Sequence, residues 1–318
     1  MREKLSSIFL SPEVSIELFL EFFMLIVLSF TLFQTLYILK YHKDGSASEL
    51  QYKLEKKSYL VSVVISVVLI LKILLVAFFT YSLDELSLIV PGAMCGAGVI
   101  GSNGYGEPLL LLKLVILLFA SLWLLLNRAD TYAKDNLYFK KKMWFFIVLY
   151  ILIVGEFLLS LNFFTLIQTQ NPVLCCSVIY TDTSNPIPFN LSKYELLVLF
   201  CVLYVTVMFC AYKKQKLLLL IFGVFFTYIS YYALVYFFSA YIYELPTHKC
   251  PFCMLQKEYN YIGYFIYITL FLGIYHLFST WFNFVKNSFK KVILFFTLFV
   301  FILLSFFLIY IIRNGVFL

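Results

Sequence analysis

Long apolar runs with almost no charged residues recur along this 318-residue chain, and they constrain its fold more than any other feature. About 20 apolar residues in an α-helix cross the hydrocarbon core of a bilayer. Because lipid offers no hydrogen-bond partners, the crossing backbone must satisfy its own polar groups, as a helix does. The runs are continuous and do not alternate as barrel strands do. Charged residues make up only 13% of the chain. We therefore predict an all-α, polytopic integral membrane protein in a lipid bilayer.

Eight such runs predict eight transmembrane helices within one transmembrane domain, 1–318. The predicted ranges are 15–40, 58–82, 108–127, 143–168, 195–212, 217–243, 259–284 and 292–312. The first run is longer than the core of a signal peptide, and no A-x-A cleavage pattern follows it, so we expect it to be kept as a helix. Ser11 and Pro12 are typical of a helix start.

The distribution of Lys and Arg predicts which connections face the cytoplasm. Connections 40–57, 128–142, 213–216 and 285–291 carry five, five, three and three of these residues, whereas six lie on the opposite side. Positively charged loops stay in the cytoplasm. This rule predicts exoplasmic termini and, for a bacterial protein, the inner membrane. The net charge of +7 then belongs to cytoplasmic loops, and with only three arginines in the chain we exclude nucleic acid as a partner.

Five of the seven cysteines fall in the predicted exoplasmic loops, and none falls in a predicted cytoplasmic loop. They are Cys95, Cys175, Cys176, Cys250 and Cys253. Oxidising compartments favour disulfide bonds. A disulfide between the adjacent residues Cys175 and Cys176 would strain the peptide between them, so each is expected to face a different partner. That partner must lie within about 7 Å between Cα atoms, either for redox exchange or for an ordinary disulfide between loops. The remaining two cysteines lie inside the fifth predicted helix, where cysteine usually acts as a small apolar filler.

Cys250 and Cys253 form a C-x-x-C motif directly before the seventh predicted helix. A helix N-terminus or a nearby cation, such as Lys257, lowers the pKa of a thiol and makes it a better nucleophile. This setting favours redox-active cysteines. A structural disulfide and a metal site remain open as alternatives.

The metal alternative draws on side chains from several loops. His248, Cys250 and Cys253 come from one loop, with Cys95 or the pair Cys175 and Cys176 as further ligands. Met94 and Cys95 come from a glycine-rich loop, 91–107, which we expect to be re-entrant. Sulfur and imidazole ligands suit a soft metal ion such as Cu(I).

The sequence C-P-F-C-M-L-Q-K, 250–257, resembles the C-x-x-C-x-x-[EQ]-[RK] signature of quinone-reducing disulfide oxidoreductases of the DsbB type. The resemblance covers about 20 residues and implies a redox pair, Cys250 and Cys253, with Lys257 contacting a quinone. The related vitamin K epoxide reductase family also has an upstream cysteine pair in a loop, comparable in role to Cys175 and Cys176. Both families are built on four- or five-helix bundles. A second cysteine pair after the C-x-x-C, as in the DsbB type, is absent here.

Charged residues inside predicted spans are costly and often functional. Lys72 and Glu156 lie at nearly equal depth from the cytoplasmic ends of their helices, given a rise of about 1.5 Å per residue. We predict that they face the bundle interior and pair, with a role in proton relay or substrate passage as the functional alternative. Lys113, near the outer end of its helix, is expected to snorkel, to meet Glu107 or to contact a quinone head group.

Two functions follow from these features. The first is a membrane thiol–disulfide oxidoreductase that passes electrons from an exoplasmic cysteine cluster to a membrane quinone, with a periplasmic thiol protein as partner. The second is a non-enzymatic transporter or subunit of a membrane complex, whose cysteines form structural disulfides or bind a soft metal.

Overall fold

The computed structural model describes residues 8–9, 11–42, 48–132, 138–167, 171–174, 176–180, 187–281 and 287–317. Within these ranges the chain is helical, contains no β-strand, and has eight helices long and apolar enough to cross a membrane. They are α1 Pro12–Tyr41, α2 Glu49–Ser87, α3 Gly106–Tyr132, α4 Phe139–Thr165, α5 Lys193–Tyr212, α6 Lys216–Tyr243, α7 Ile262–Ser279 and α8 Ser288–Asn314. The expected number of helices long and apolar enough to cross a membrane is confirmed.

Side-chain caps explain where several helices begin. The hydroxyl of Ser11 accepts a hydrogen bond from the Val14 amide, with Pro12 in the first turn of α1. Ser48 caps α2, which therefore starts nine residues before the predicted 58. The apolar run marks only the part of α2 that is suited to lipid, whereas the cap and a polar first stretch extend the helix beyond it.

The seventh helix begins at Ile262 rather than at the predicted 259. The segment before it forms two separate 3₁₀ turns, Cys253–Leu255 and Lys257–Tyr259. Asn260 and Tyr261 then adopt left-handed backbone conformations, which a continuous helix excludes. The predicted ends of the fourth and seventh helices, at 168 and 284, lie outside the described residues.

The chain divides into two compact units. The first comprises Met1–Val90 and Ile100–Asn171. In it α1 packs against α2 and α4, and α3 packs against the same two helices, which gives a four-helix ring. Its apolar core includes the buried side chains of Trp123, Phe146 and Phe79. The prediction of a single domain stays a prediction.

The second unit comprises Pro91–Val99 and Pro172–Leu318. Helices α5 and α7 each pack against α6 and α8, which again gives a four-helix ring. Gly273 allows α7 to approach α8 closely, because an added Cβ would lie 2.4 Å from Phe296 Cε1. Near its end α6 contains a π-helical turn, Leu234–Phe238, in which every side chain is buried. Such turns are frequent at functional sites, and only the last stretch of α6, Ser239–Tyr243, lies between this one and the C-x-x-C loop.

Candidate functional site

Four cysteine side chains of the second unit meet at one point. The sulfur atoms of Cys95, Cys176, Cys250 and Cys253 all lie within 4.8 Å of one another. Cys95 Sγ is 3.5 Å from Cys250 Sγ, and Cys176 Sγ is 3.9 Å from Cys253 Sγ. We call this group the four-cysteine cluster. Three separate connections supply it, namely those after α2, before α5 and after α6.

The cluster is shielded from solvent, and none of its members exposes more than 4% of its surface. Burial is the main reason why the pKa of the Cys250 thiol lies far above its ordinary value. The pKa of Cys253 is also raised, first by its contact with the Cys176 thiol and further by burial. The expectation of lowered thiol pKa values is therefore wrong. Burial disfavours the thiolate, and the two 3₁₀ turns separate Cys253 from the N-terminus of α7.

The glycine-rich loop reaches the cluster through a close backbone contact. The Val173 amide donates to the Pro91 carbonyl at 2.9 Å. Gly92 has a φ of +83°, and a Cβ there would lie 2.7 Å from the Val173 carbonyl oxygen. Glycine alone accepts both the backbone conformation and the close approach. The contact places Cys95 beside the segment that carries Cys176.

We expect Gly92→Ala to loosen this loop, because alanine at a left-handed position costs about 1–2 kcal/mol before the clash is counted. The cluster thiols should become reactive toward a maleimide in folded protein, and thermal stability should fall. The matched control is Gly104→Ala in the same loop, because a Cβ there meets nothing within 4 Å. Equal thiol labelling of the two variants would contradict the role assigned to Gly92.

The C-x-x-C loop is held from both of its neighbouring helices. The Tyr243 hydroxyl, at the end of α6, donates to the Cys250 carbonyl. The Tyr267 hydroxyl, on α7, donates to the Pro251 carbonyl at 2.8 Å. The side-chain amide of Gln256 donates to the Met94 carbonyl at 3.1 Å, which ties this loop to the glycine-rich one. The cysteines thus lie on backbone segments that are fixed by hydrogen bonds.

The other residues of the predicted sites lie elsewhere or outside the described part of the chain. Cys175 lies outside the described residues. Met94 is 69% exposed, and Lys257 lies exposed in its 3₁₀ turn. His248 packs its ring against Tyr243 at 4.5 Å, and its buried Nε2 has no hydrogen-bond partner within the described ranges. Of the predicted metal ligands, the four-cysteine cluster therefore contains Cys95, Cys176, Cys250 and Cys253 and does not contain His248 or Met94.

The first unit holds a second group of functional interest, inside its helices. Lys72 Nζ lies 2.6 Å from Glu156 Oε2, so the predicted pair is present. Lys113 is 2% exposed and does not snorkel, whereas Glu107 is exposed at the start of α3. The Nζ atom of Lys113 instead contacts carboxylates of α1 and α4, because these buried acids compensate its charge inside the unit.

Sequence reasoning missed the α1 contribution to this group. Glu17 and Glu21 lie within the first apolar run, four residues apart, which places both on one face of a helix. That spacing was the available signal. Lys113 Nζ is 3.2 Å from Glu17 Oε1, 2.5 Å from Glu21 Oε1 and 2.9 Å from Glu156 Oε1.

Comparison of the chain with protein-family models, with curated proteins and with solved structures finds no match. The fold and the site define the class of protein by themselves: a helical chain with eight helices able to cross a membrane and a buried cluster of four cysteines.

Proposed function

We propose that this chain is an integral membrane protein that binds one thiophilic metal ion, of the Zn²⁺ type, through Cys95, Cys176, Cys250 and Cys253. The mutual proximity of the four buried sulfur atoms carries the proposal. Four cysteine ligands complete the tetrahedral shell of Zn²⁺ and leave no open position for substrate. A site of this kind holds its metal as a structural element.

Distances between the sulfur atoms support this assignment. Zn–S bonds of about 2.3 Å in a tetrahedral site place the sulfur atoms about 3.8 Å apart. The distances from Cys95 Sγ to Cys250 Sγ, 3.5 Å, and from Cys176 Sγ to Cys253 Sγ, 3.9 Å, lie on either side of that value. A disulfide would require about 2.05 Å. Tetrahedral sulfur coordination is typical of zinc or iron and uses the same soft ligands as Cu(I).

Charge at the site also fits a metal. Four thiolates around a divalent ion leave two negative charges, which are costly when buried. Two residues with basic side chains, His248 and Lys249, directly precede Cys250 in the sequence. Lys249 Nζ lies 4.9 Å from the centre of the Tyr236 ring.

Metal affinity should depend steeply on pH. Because the thiol pKa values of Cys250 and Cys253 are raised in the metal-free protein, both thiols hold their protons at neutral pH. A metal must displace these protons, so affinity should fall about tenfold per released proton for each unit by which the pH is lowered. Titration of a cobalt complex between pH 6 and 8, with the released protons counted in weak buffer, measures this slope. An affinity independent of pH would contradict the proposal.

Reconstitution with Co²⁺ tests the site itself. Purified, reduced protein in detergent should bind about one Co²⁺ per chain and develop the visible and sulfur-to-metal absorption bands of a tetrahedral thiolate complex, and Zn²⁺ should abolish both. Elemental analysis of protein purified without chelators should show the metal that is acquired in cells. Absence of both metal and cobalt bands from protein with reduced thiols would overturn the proposal.

We place the four-cysteine cluster on the exoplasmic side of a bacterial inner membrane, with both termini on that side. The charge asymmetry of the connections supports this orientation. Its test is labelling of an introduced surface cysteine in intact cells with a membrane-impermeant maleimide.

A second candidate function is thiol–disulfide exchange coupled to a quinone. Each cysteine of the C-x-x-C motif contacts a cysteine from another loop, as Cys250 does Cys95 and Cys253 does Cys176. Two thiols would form a disulfide and pass two electrons and two protons to a quinone near Lys257, which yields the hydroquinone. The resemblance of 250–257 to the DsbB-type signature supports this candidate, as does the ring of four helices in the second unit.

The two functions predict different states of the cluster. Exchange requires disulfides that reform when a quinone is added to reduced protein, with hydroquinone as product. Mass spectrometry of protein alkylated under acid conditions counts disulfides directly. Alkylation of all four cluster cysteines after quinone addition would exclude exchange. Rapid and stoichiometric disulfide formation without bound metal would favour exchange over the metal site.

A further inference from the structure

Five charged side chains converge in the interior of the first unit, and the proposed metal site makes no use of them. Glu17 and Glu21 come from α1, Lys72 from α2, Lys113 from α3 and Glu156 from α4. All are at most 4% exposed. Lys72 lies 2.6 Å from Glu156 and 3.7 Å from Glu21, and Lys113 contacts all three carboxylates within 3.2 Å. Each of the four helices thus contributes at least one charge.

The charges of this group do not balance. Three carboxylates face two ammonium groups, which leaves one excess negative charge if all five are ionised. An uncompensated charge in a low-dielectric interior is strongly unfavourable, so such groups neutralise where they can. One additional positive charge, bound at the carboxylates, removes the imbalance.

Two carboxylate oxygen atoms of this group have no hydrogen-bond partner among the described residues. Both oxygens of Glu156 accept hydrogen bonds from lysine, Oε2 from Lys72 and Oε1 from Lys113. Glu17 and Glu21 use only Oε1 in this way. Their Oε2 atoms are buried and have no hydrogen-bond partner among the described residues. Buried polar atoms without a partner are uncommon and need a physical explanation, such as a bound proton.

We infer that this cluster is a binding site for one exchangeable proton, held by Glu17 or Glu21. A proton needs a single carboxylate oxygen, whereas hard metal cations require several oxygen ligands around them. The two lysines keep Glu156 ionised and leave the α1 carboxylates as the proton acceptors. The site therefore takes up or releases a proton within the helices of the first unit.

Infrared spectroscopy tests the inference on the full-length protein in lipid. A protonated carboxylic acid has a carbonyl band, separate from the carboxylate bands, that shifts in D₂O. Wild-type protein at pH 7 should show this band with the intensity of one acid per chain, and ¹³C-labelled glutamate should move it. If the band is absent at pH 7, all five groups are ionised and the inference is overturned.

Variants turn the charge count into a quantitative test. Glu17→Gln and Glu21→Gln each balance two acids against two bases, so the band should vanish in both. Lys72→Met leaves three acids and one base, so its intensity should double. Glu107→Gln, at an exposed glutamate, is the control and should leave the band unchanged. The thermal midpoint of each variant is measured, so that only folded variants are compared. A band that persists in both glutamine variants would refute the site.

A metal cation at the same place is a distinct outcome. If sodium at constant pH removes the carbonyl band, the site takes an alkali cation in place of the proton, and the inference is wrong. If the band is indifferent to sodium and is lost only as the pH rises, the exchangeable proton is established.

Discussion

Cys253→Ser should lose the bound metal almost completely. Serine replaces a thiolate with a hydroxyl that does not ionise at neutral pH, so one of four ligands is removed from a closed site. Loss of groups that merely orient ligands costs about 10–100-fold in metal affinity, and loss of a ligand should cost at least as much. Cys95→Ser, Cys176→Ser and Cys250→Ser should behave alike, because each sulfur belongs to the same cluster.

The measurement is metal content per chain after gel filtration, together with the cobalt spectrum. The matched control is Cys201→Ser, since Cys201 lies exposed on α5. It should keep full occupancy. Thermal stability should fall in the cluster variants and no longer respond to added zinc, because metal binding stabilises only a protein that can bind it. A Cys253→Ser protein with full metal occupancy would contradict the four-ligand site.

Lys113→Met should be the most destabilising substitution in the first unit. Its ammonium group contacts three buried carboxylates and lies 4.4 Å from the centre of the Phe79 ring. Removing one partner from a buried ionic group costs about 3–5 kcal/mol, because a carboxylate that it held must then be protonated or remain uncompensated. Methionine keeps a similar length and apolar character, so loss of packing contributes little. The change is read as a fall in midpoint temperature in lipid or mild detergent.

A charge-compensated variant separates electrostatics from packing. Lys113→Met combined with Glu156→Gln removes one charge of each sign and should recover part of the lost stability. Lys53→Met is the surface control, because its ion pair with Glu49 is solvent-exposed and such pairs contribute about 0–1 kcal/mol. If the Lys113 and Lys53 variants have equal stability, the buried group does not hold the first unit together.

The composition of the cysteine site was only partly accessible from the sequence. Alternation of eight spans predicted that the loops of Cys95, Cys176 and the C-x-x-C motif face one side of the membrane. It could not show which side chains meet, since loop conformation depends on particular contacts. The approach of Pro91 to Val173 brings Cys95 and Cys176 into one cluster. Met94 is exposed and does not belong to this cluster.

The direction of the thiol pKa shifts also could not be predicted from the sequence. A C-x-x-C motif shortly before a helix predicted to begin at 259 suggested lowered pKa values, because the thiols were expected to lie near the helix N-terminus. Because Asn260 and Tyr261 adopt left-handed conformations, α7 begins only at Ile262, and neighbouring loops bury the thiols. Burial is a property of the assembled loops, so it reversed the direction of the shift.

The sequence by itself determined the class of fold and the number of spans, because transfer of apolar side chains to lipid and backbone hydrogen bonding depend on composition and local periodicity. It also indicated the Lys72–Glu156 pair, since depth along a helix follows from residue count. Only the tertiary structure decided that Lys113, Glu17 and Glu21 join this pair, and that four cysteines from three connections converge. Both groups arise from residues far apart in the chain, and their meeting is fixed by helix packing and loop contacts that no local pattern encodes.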